Sequence, residues 1–535
     1  MRFLPVNLDA LLVELADLDE TLALFDSLQN APIAGVEEIV PAARTLLVQY
    51  RPSAVTAEAL VDQIASRSLN GDGRQAGKVV EIPVHYNGED LADVAAHLGI
   101  SVDEVIRRHT GSEYSAAFCG FAPGFAYLSG GAGFEVPRRS TPRTRVPAGA
   151  VALAGGFSAV YPQASPGGWQ ILGVTPLRMW DLTRAEPALL KPGYRVRFKD
   201  AGPLPEGGLP PHAEAPDAPA PDTLHALGIR ATGLQTLLQD LGRPGQAGQG
   251  VSTSGALDRG AVRAANRVVG NDPASACLEV LMGGLSFVAD GPVVIAVTGA
   301  LAPIEVTSSS GRRLKPCHYQ PIQLEDGDQV TLGTPPAGLR SYVAVRGGFA
   351  VAPVLGSLST DTLAQVGPKP LAIGDRLGVH TKIAGHAVAL DETPAFDMPR
   401  ADDVVTLDVV MGPRSDWFTP EALACLAEQT WRVTPQSNRV GIRLAGDTPL
   451  AREISGELPS EGTAVGAIQV PPSGQPVLFL ADHPLTGGYP VIGAVASHHL
   501  DLAGQIPVNA RIRFNPLGTF EELRPTPPDE ATHTP

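Results

Sequence analysis

A glycine or a proline interrupts this chain at about every fifth position: 58 glycines and 50 prolines among 535 residues, with no repeating period. Neither residue suits a helix interior, so long helices have little room. A chain punctuated this way is either disordered or built of many short strands and tight turns. The Val, Ile and Leu runs between the breaks decide for strands, and with 44% hydrophobic residues there is material for sizeable cores. At this length a single core is not expected; two or more domains are. The expected fold class is mainly β with an α/β N-terminal part.

The sharpest boundary is residues 201–222, AGPLPEGGLPPHAEAPDAPAPD. Rich in proline and nearly free of large apolar side chains, it reads as a semi-rigid tether. Before it, residues 1–90 read as a ferredoxin-like subdomain in βαββαβ order. Its parts are a strand at 10–15, a helix capped by Asp19 with Leu22, Phe25 and Leu28 on one face, and a hairpin around Pro41. A helix marked by Leu60, Val61 and Ile64 and a closing strand at 78–86 complete it. Residues 91–200 open with two short helices, one lined by Leu91, Val94 and Leu98, the other begun by a capping box of Ser101 and Glu104. They continue as strands and glycine-rich turns, a barrel pattern. After the tether, residues 223–524 read as a second β-rich module of short apolar strands between Gly, Pro and Asp turns, the pattern of barrels or sandwiches. It carries one clear helix, with Val262, Ala265 and Val269 on its face and Gly270 as its stop. Residues 525–535 read as a disordered tail.

One similarity is internal. VPAGAVAL followed by SPGGWQILG (146–173) parallels TAVGAIQV followed by LTGGYPVIG (463–493). A Gly-Ala-aliphatic strand leads in both to a Gly-Gly-aromatic turn, so one barrel motif is expected in each module.

The net charge is −16, which would repel a phosphate backbone and makes nucleic acid an unsuitable partner. Cys119, Cys277, Cys317 and Cys425 lie far apart and form no CxxC pair, which argues against a zinc ribbon or disulfide framework. The N-terminus carries Asp9, Glu14, Asp17, Asp19 and Glu20 and lacks the pattern of a signal peptide. No stretch approaches the ~18 apolar residues of a membrane span. A cytoplasmic protein is expected, and a homo-oligomer is allowed.

Familiar enzyme signatures fail. DGRQAGKVV (72–80) lacks the first glycine of a P-loop and has Val79 where a hydroxyl should follow Lys78. There is no GxGxxG, GxSxG or HExxH. SSSGR (308–312) reads as a polar hairpin turn.

Four clusters carry chemistry. In CGFAPGFAYLSG (119–130), Gly120 and Gly124 let backbone approach a ligand while Phe121, Phe125 and Tyr127 form walls; a turn packing a barrel end is the other reading. The Gly167-Gly168-Trp169 turn joins the candidate binding residues. VPRRSTPRTRVPAG (136–149) gathers Arg138, Arg139, Arg143 and Arg145, forks suited to carboxylate or phosphate, or else a solvated loop. Residues 239–271 place Asp240, Arg243, Ser252, Ser254, Gly255, Asp258 and Asn266 around a helix start that either holds an anion or is simply capped. The C-terminal set comprises Arg439, Arg443, Glu461, Gln469, Asp482, His483 and the Thr486-Gly487-Gly488-Tyr489 turn. Arg439 and Arg443 are expected to share one strand face.

These strings resemble a known pair of proteins. CGFAPGFAYL, RVPAGAVALAGG and YPQASPGGWQILG are similar to the B subunit of 5-oxoprolinase, a family that also has a kinase-inhibitor member. GLQTLLQDLGRPG, GVSTSGALDRGAVRAANRVVGN, RVGIRLAG and AIQVPPSGQPVLFLADHPLTGGYP are similar to its C subunit. Both also resemble the carboxyltransferase domain of urea carboxylase, which implies cyclophilin-like barrels, two of them expected as the subdomains of residues 223–524. The chain departs from the B-type pattern at Phe157, where a Gln is usual, and at Val174, where an Arg is usual. The resemblance implies ATP-dependent opening of 5-oxoproline to glutamate with a separate A subunit. ATP with Mg²⁺ would be co-substrate, with no resident metal and no biotin attachment site in this chain. Under that reading Arg243, Arg439 and Arg443 bind anions, and Asp240, Asp258, Asp482 and His483 handle protons or the nucleotide's metal. Carboxyl transfer from a separate biotin carrier, or inhibition of a histidine kinase, are the alternatives.

Overall fold

The structure, a computed structural model, describes residues 1–69, 77–131, 133–139, 141–205, 223–381, 385–456 and 458–527. Most of the tether, the end of the tail and residues 72–76 of the P-loop-like stretch lie outside the described residues.

Arg2–Asn7, Ala10–Glu14, Thr45–Tyr50 and Val36–Pro41 form, in that spatial order, an antiparallel four-stranded sheet. Helices Leu18–Asn30 and Ala57–Ala65 bury Phe25, Leu28, Leu60, Val61 and Ile64 in one core with Leu11, Val13, Leu46 and Val48 of the sheet. Two expectations change here. The first helix is capped by Asp17, not Asp19. Asp17 is extended (φ −153°) and accepts the Glu20 N–H, whereas Asp19 sits in the first turn, where an acid complements the helix dipole. The strand read as closing the ferredoxin-like unit, Val79–Val84, leaves this sheet and pairs in parallel with Arg195–Asp200. Its alternate residues Val80, Ile82 and Val84 fill the core of the first barrel, and the N-terminal hairpin strand Arg2–Asn7 completes the four-stranded sheet instead. The 1–90 boundary therefore falls too late.

That strand edges a seven-stranded sheet whose spatial order is Gln170–Val174, Ala150–Ala154, Phe157–Val160, Ala126–Gly130, Glu113–Cys119, Arg195–Asp200, Val79–Val84. A bridge between His85 and Val174 joins its two edges. Near the C-terminus, Val491–Val495, Ala467–Gln469, Val477–Phe479, Gly441–Ala445, Trp431–Val433, Arg511–Pro516 and Val404–Met411 close a barrel in the same circular order. In both, the first and last strands in sequence are the parallel pair. The internal repeat is thus a repeat of architecture, and its glycines have a shared reason. Gly149 (φ +80°) and Gly466 (φ +86°) start equivalent strands in the left-handed region. A Cβ would lie 2.5 Å from Thr175 O at the first and 2.8 Å from Val495 O at the second.

Between the barrels, two antiparallel sheets of six and five strands enclose Leu227, Phe287, Ile295 and Val343. The helix Arg259–Val269 packs Val262, Ala265 and Val269 with Cys277, Ala296 and Tyr342, and Gly270 (φ +72°) ends it. Among the described residues no helix is long and apolar enough to cross a membrane.

The two halves of the chain dock. Glu38 accepts the N–H of Gly245 (2.5 Å) and of Ala247 (3.1 Å). Gly124 N–H donates to Gln249 O at 2.8 Å, and the Asn7 amide to Val495 O at 2.9 Å.

Candidate functional site

The loop after strand Glu113–Cys119 meets the Thr486-Gly487 turn of the closed barrel, so the first and fourth motif clusters form one seam. A Cβ on Gly120 would lie 2.4 Å from Thr486 Oγ1; the contact exists because residue 120 has no side chain. Phe121 takes φ +65°, rare for a bulky residue, inside a turn where Ala122 N–H donates to Gly120 O and Phe125 N–H to Ala122 O. Behind it lies an aromatic floor. Phe125 meets Phe121, Tyr127, Tyr161 and Trp169 edge-on, with centroids 5.1–5.5 Å apart. Phe157, half-buried at the rim, packs edge-on against Phe118 and Tyr127. Gly167 clears the Tyr161 hydroxyl, which a Cβ would approach to 2.3 Å, and Gly168 stays open.

Polar groups converge on this floor from both halves. The buried Tyr127 hydroxyl faces Thr486 and Ser460, and burial pushes its pKa up while Arg138 works against the shift. Arg138 Nη1 lies 3.8 Å from where a Cβ on Gly488 would stand. Among the described residues no carboxylate pairs with Arg138. Its neighbours are committed: Arg139 and Arg143 bind the buried Asp90 at 2.6 and 2.8 Å, and Asp90 also accepts the Ile171 N–H. Burial alone would raise the Asp90 pKa; Arg143 and Ile171 hold it below the usual range. Arg143, expected as an anion binder, is therefore a strap within the first barrel. Tyr489 is 45% exposed at the mouth, with the Arg452 guanidinium 5.7 Å from its ring and the Gln469 amide donating to its carbonyl. Glu461 pairs with Arg414 on the far side of Ser460.

The remaining predicted residues form a separate buried lattice. Arg439, 2% exposed, donates to Glu279 (2.5 Å), to both Asp482 oxygens (2.9 Å each) and to Gly255 O (2.7 Å). Asp482 also accepts Ser254 Oγ (2.6 Å) and the Thr362 hydroxyl and N–H. Burial alone would raise its pKa, but Arg439 keeps it below the usual carboxylate range. Asp240 accepts the Ser357 and Ser359 hydroxyls and the Leu358 N–H, fixing that loop. Arg243 is buried beside Asp361 and Asp240 and donates to Ser359 O. So residues 239–271 and 437–490 do meet, but in the interior.

Other assignments need correction. Arg439 precedes strand Gly441–Ala445 and is buried, while Arg443 within it is exposed; the two share no face, because the strand alternation starts only after Asn438 caps the turn. His483 turns both ring nitrogens to backbone carbonyls, of Leu480 and Thr463, and burial lowers its pKa. Asn266 bonds Val262 O and Ser275 O within its own helix region. Asp258 caps that helix, accepting the Ala261 N–H at 2.8 Å, and its other oxygen takes the Gln505 amide. Asp408, His498 and His499 gather potential metal ligands within 4.8 Å, but His499 Nδ1 already accepts the Asp408 N–H. Sequence reading missed Glu279, Asp361 and Arg414, each isolated in a strand or loop without a motif around it.

The Asp258 carboxyl has a stability consequence. Burial, with the charge of Asp501, pushes its pKa up to about 7 from 3.8. The folded chain then holds more protons than the unfolded chain between about pH 4 and 7, and stability falls as pH rises through that window. Thermal melts from pH 5 to pH 8 are expected to show that fall, and Asp258→Asn to flatten it; an unchanged slope in the variant refutes the assignment.

The sequence matches two family descriptions: "Carboxyltransferase domain, subdomain C and D" over residues 1–190 and "Carboxyltransferase domain, subdomain A and B" over residues 249–516. It is 34% identical over 304 residues to the C subunit of 5-oxoprolinase from Escherichia coli K12, covering 55% of this chain and 92% of that one. It is 49% identical over 125 residues to the B subunit of 5-oxoprolinase from Escherichia coli O157:H7, covering 23% of this chain and 57% of that one. The crystal structure of TTHA0988 superimposes with a TM-score of 0.81 at 34% identity, over 95% of this chain and 99% of that one. The two matches, one in each half of the chain, define a carboxyltransferase-type protein. The chain belongs to the carboxyltransferase-domain family, its first half like the B subunit of 5-oxoprolinase, its second half like the C subunit.

Proposed function

We propose that this chain is the B/C component of an ATP-dependent 5-oxoprolinase, opening 5-oxo-L-proline to L-glutamate with a separate A subunit. The observation that carries the reading is the seam itself. Motifs similar to the two subunits face each other there, with Arg138 uncommitted above Gly488 and an aromatic floor beneath.

The chemistry asks for such a place. A five-membered lactam is a poor electrophile; transfer of the γ-phosphoryl group of MgATP to its carbonyl oxygen, with release of ADP, activates the carbonyl carbon, and water then adds there as phosphate leaves and the ring C–N bond breaks to give glutamate. Arg138 suits the substrate carboxylate or the developing anion, since a guanidinium without an acid partner is free to bind one. The rings of Phe121, Phe125, Tyr127 and Trp169 keep bulk water from the reacting centre. The Tyr127 hydroxyl orients a polar atom beside Thr486.

Reconstitution with the A subunit, 5-oxoproline and ATP tests the reading. Glutamate release that requires this chain is expected, with kcat/KM lowered by roughly 10- to 100-fold in Arg138→Ala, the loss of one charge-assisted contact. Absence of ATP-dependent glutamate release, or turnover that requires a biotinylated carrier, overturns it; the second result points to the carboxyl-transfer chemistry after which the family is described.

A further inference from the structure

Between the N-terminal sheet and the closed barrel lies a cavity of about 140 Å³. That is well above the ~10–15 Å³ a single water occupies. Glu14, Arg44 and Thr45 line it from the sheet; Arg414, Trp417 and Leu458–Glu461 line it from the barrel. It is separate from the aromatic seam, with Ser460 as the shared wall.

Its charges are unequally used. The Arg414 guanidinium is held by Glu461 and by Glu14 at 2.8 Å, and Glu14 is held in turn by Arg2 at 2.7 Å. Those two acids are therefore neutralised within the wall. Arg44 is different: it is exposed, and among the described residues its guanidinium makes only a long 3.4 Å contact to Leu15 O and pairs with no carboxylate. Beside it, Thr45 is 1% exposed and its hydroxyl is buried without a hydrogen-bond partner. A buried hydroxyl left unpaired has a real energetic cost, and Thr45, which carries one, is among the residues that line the cavity beside Arg44. Trp417, Leu458 and Pro459 supply apolar walls.

We propose that this cavity is a binding site for a small carboxylate, its anionic group on Arg44 and on the Thr45 hydroxyl, its apolar part against Trp417 and Pro459. Residues from both halves line the site, so an occupant fastens the N-terminal sheet to the closed barrel. The proposal stands on this geometry alone and does not require the reaction proposed above.

The test is calorimetric titration of the full chain, without the A subunit or ATP, using three probes: 5-oxo-L-proline, L-glutamate and acetate. Saturable binding of at least one of the first two is expected. Affinity should fall by roughly 10- to 100-fold in Arg44→Ala, the loss of a charged hydrogen bond, and by several-fold in Thr45→Val. Arg51→Ala, an exposed arginine paired with Glu37 on the same sheet, should leave it unchanged. Preference between the two larger probes identifies whether a lactam acid or an open amino acid is the occupant. No saturable binding of any probe, binding of acetate with equal affinity, or affinity unaltered in both Arg44→Ala and Thr45→Val overturns the proposal. Failure of the reconstituted reaction with this binding intact would count against the function alone.

Discussion

Replacing Arg439 with alanine should cost about 3–5 kcal/mol, more than any exposed substitution in this chain. The figure follows from what remains. Asp482 is fully buried and Glu279 is 4% exposed, and both point at the missing guanidinium. Gly255 O loses its donor as well. The same Asp482 carboxylate holds Ser254 and Thr362, so the damage spreads to the loop at Thr362 and to the approach of the Arg259–Val269 helix. Scanning calorimetry should show the transition of the C-terminal half lowered or lost, with soluble yield reduced. Arg439→Ala combined with Asp482→Asn should be less harmful than the sum, because the second change removes the uncompensated charge. A single variant that melts like wild type would refute the buried lattice as a stability element.

The second large effect is expected at the seam. Gly120→Val places a branched side chain where even a Cβ would stand 2.4 Å from Thr486 Oγ1 and 2.7 Å from its Cγ2. Thr486 is buried in a short bridge, Glu461–Gly462 against Thr486–Gly487, and has little room to move. The barrels would part at this point while each keeps its own core. Activity with the A subunit should fall at least about 100-fold, on the scale of a small misplacement of reacting groups, with the melting behaviour largely kept. Thr486→Ala in the same chain should restore part of the activity by making space. Full activity in Gly120→Val would show that the seam does not need this closeness, and no rescue would place the fault elsewhere.

The TTHA0988 structure superimposes over nearly the whole chain, so the two halves have a similar arrangement in both. The contacts of Glu38 with Gly245 and Ala247, and of Gly124 with Gln249, show how that arrangement is held. They lie on backbone N–H and C=O groups, so changes of side chain at the receiving positions should be tolerated better than changes at Glu38 itself.

The sequence by itself determined the local and periodic features. Glycine and proline spacing dictates short strands and tight turns, the apolar faces of Leu22–Leu28 and Leu60–Ile64 dictate helices, and the paired Gly-Ala and Gly-Gly-aromatic strings give the same barrel twice. Such features depend on neighbours within a few residues, and a linear reading sees those neighbours. Only the tertiary structure decided which charged residues are free. Arg143, Arg439 and Arg138 look alike in sequence, yet Asp90 neutralises the first, Glu279 and Asp482 enclose the second, and the third has no acid beside it among the described residues. The partners come from strands and loops up to 160 positions away, as Glu279 does for Arg439. The cavity beside Thr45 and the transfer of Val79–Val84 to the barrel have the same cause: both arise where distant segments meet, and pairing energy at such junctions is set by the fold rather than by adjacent residues.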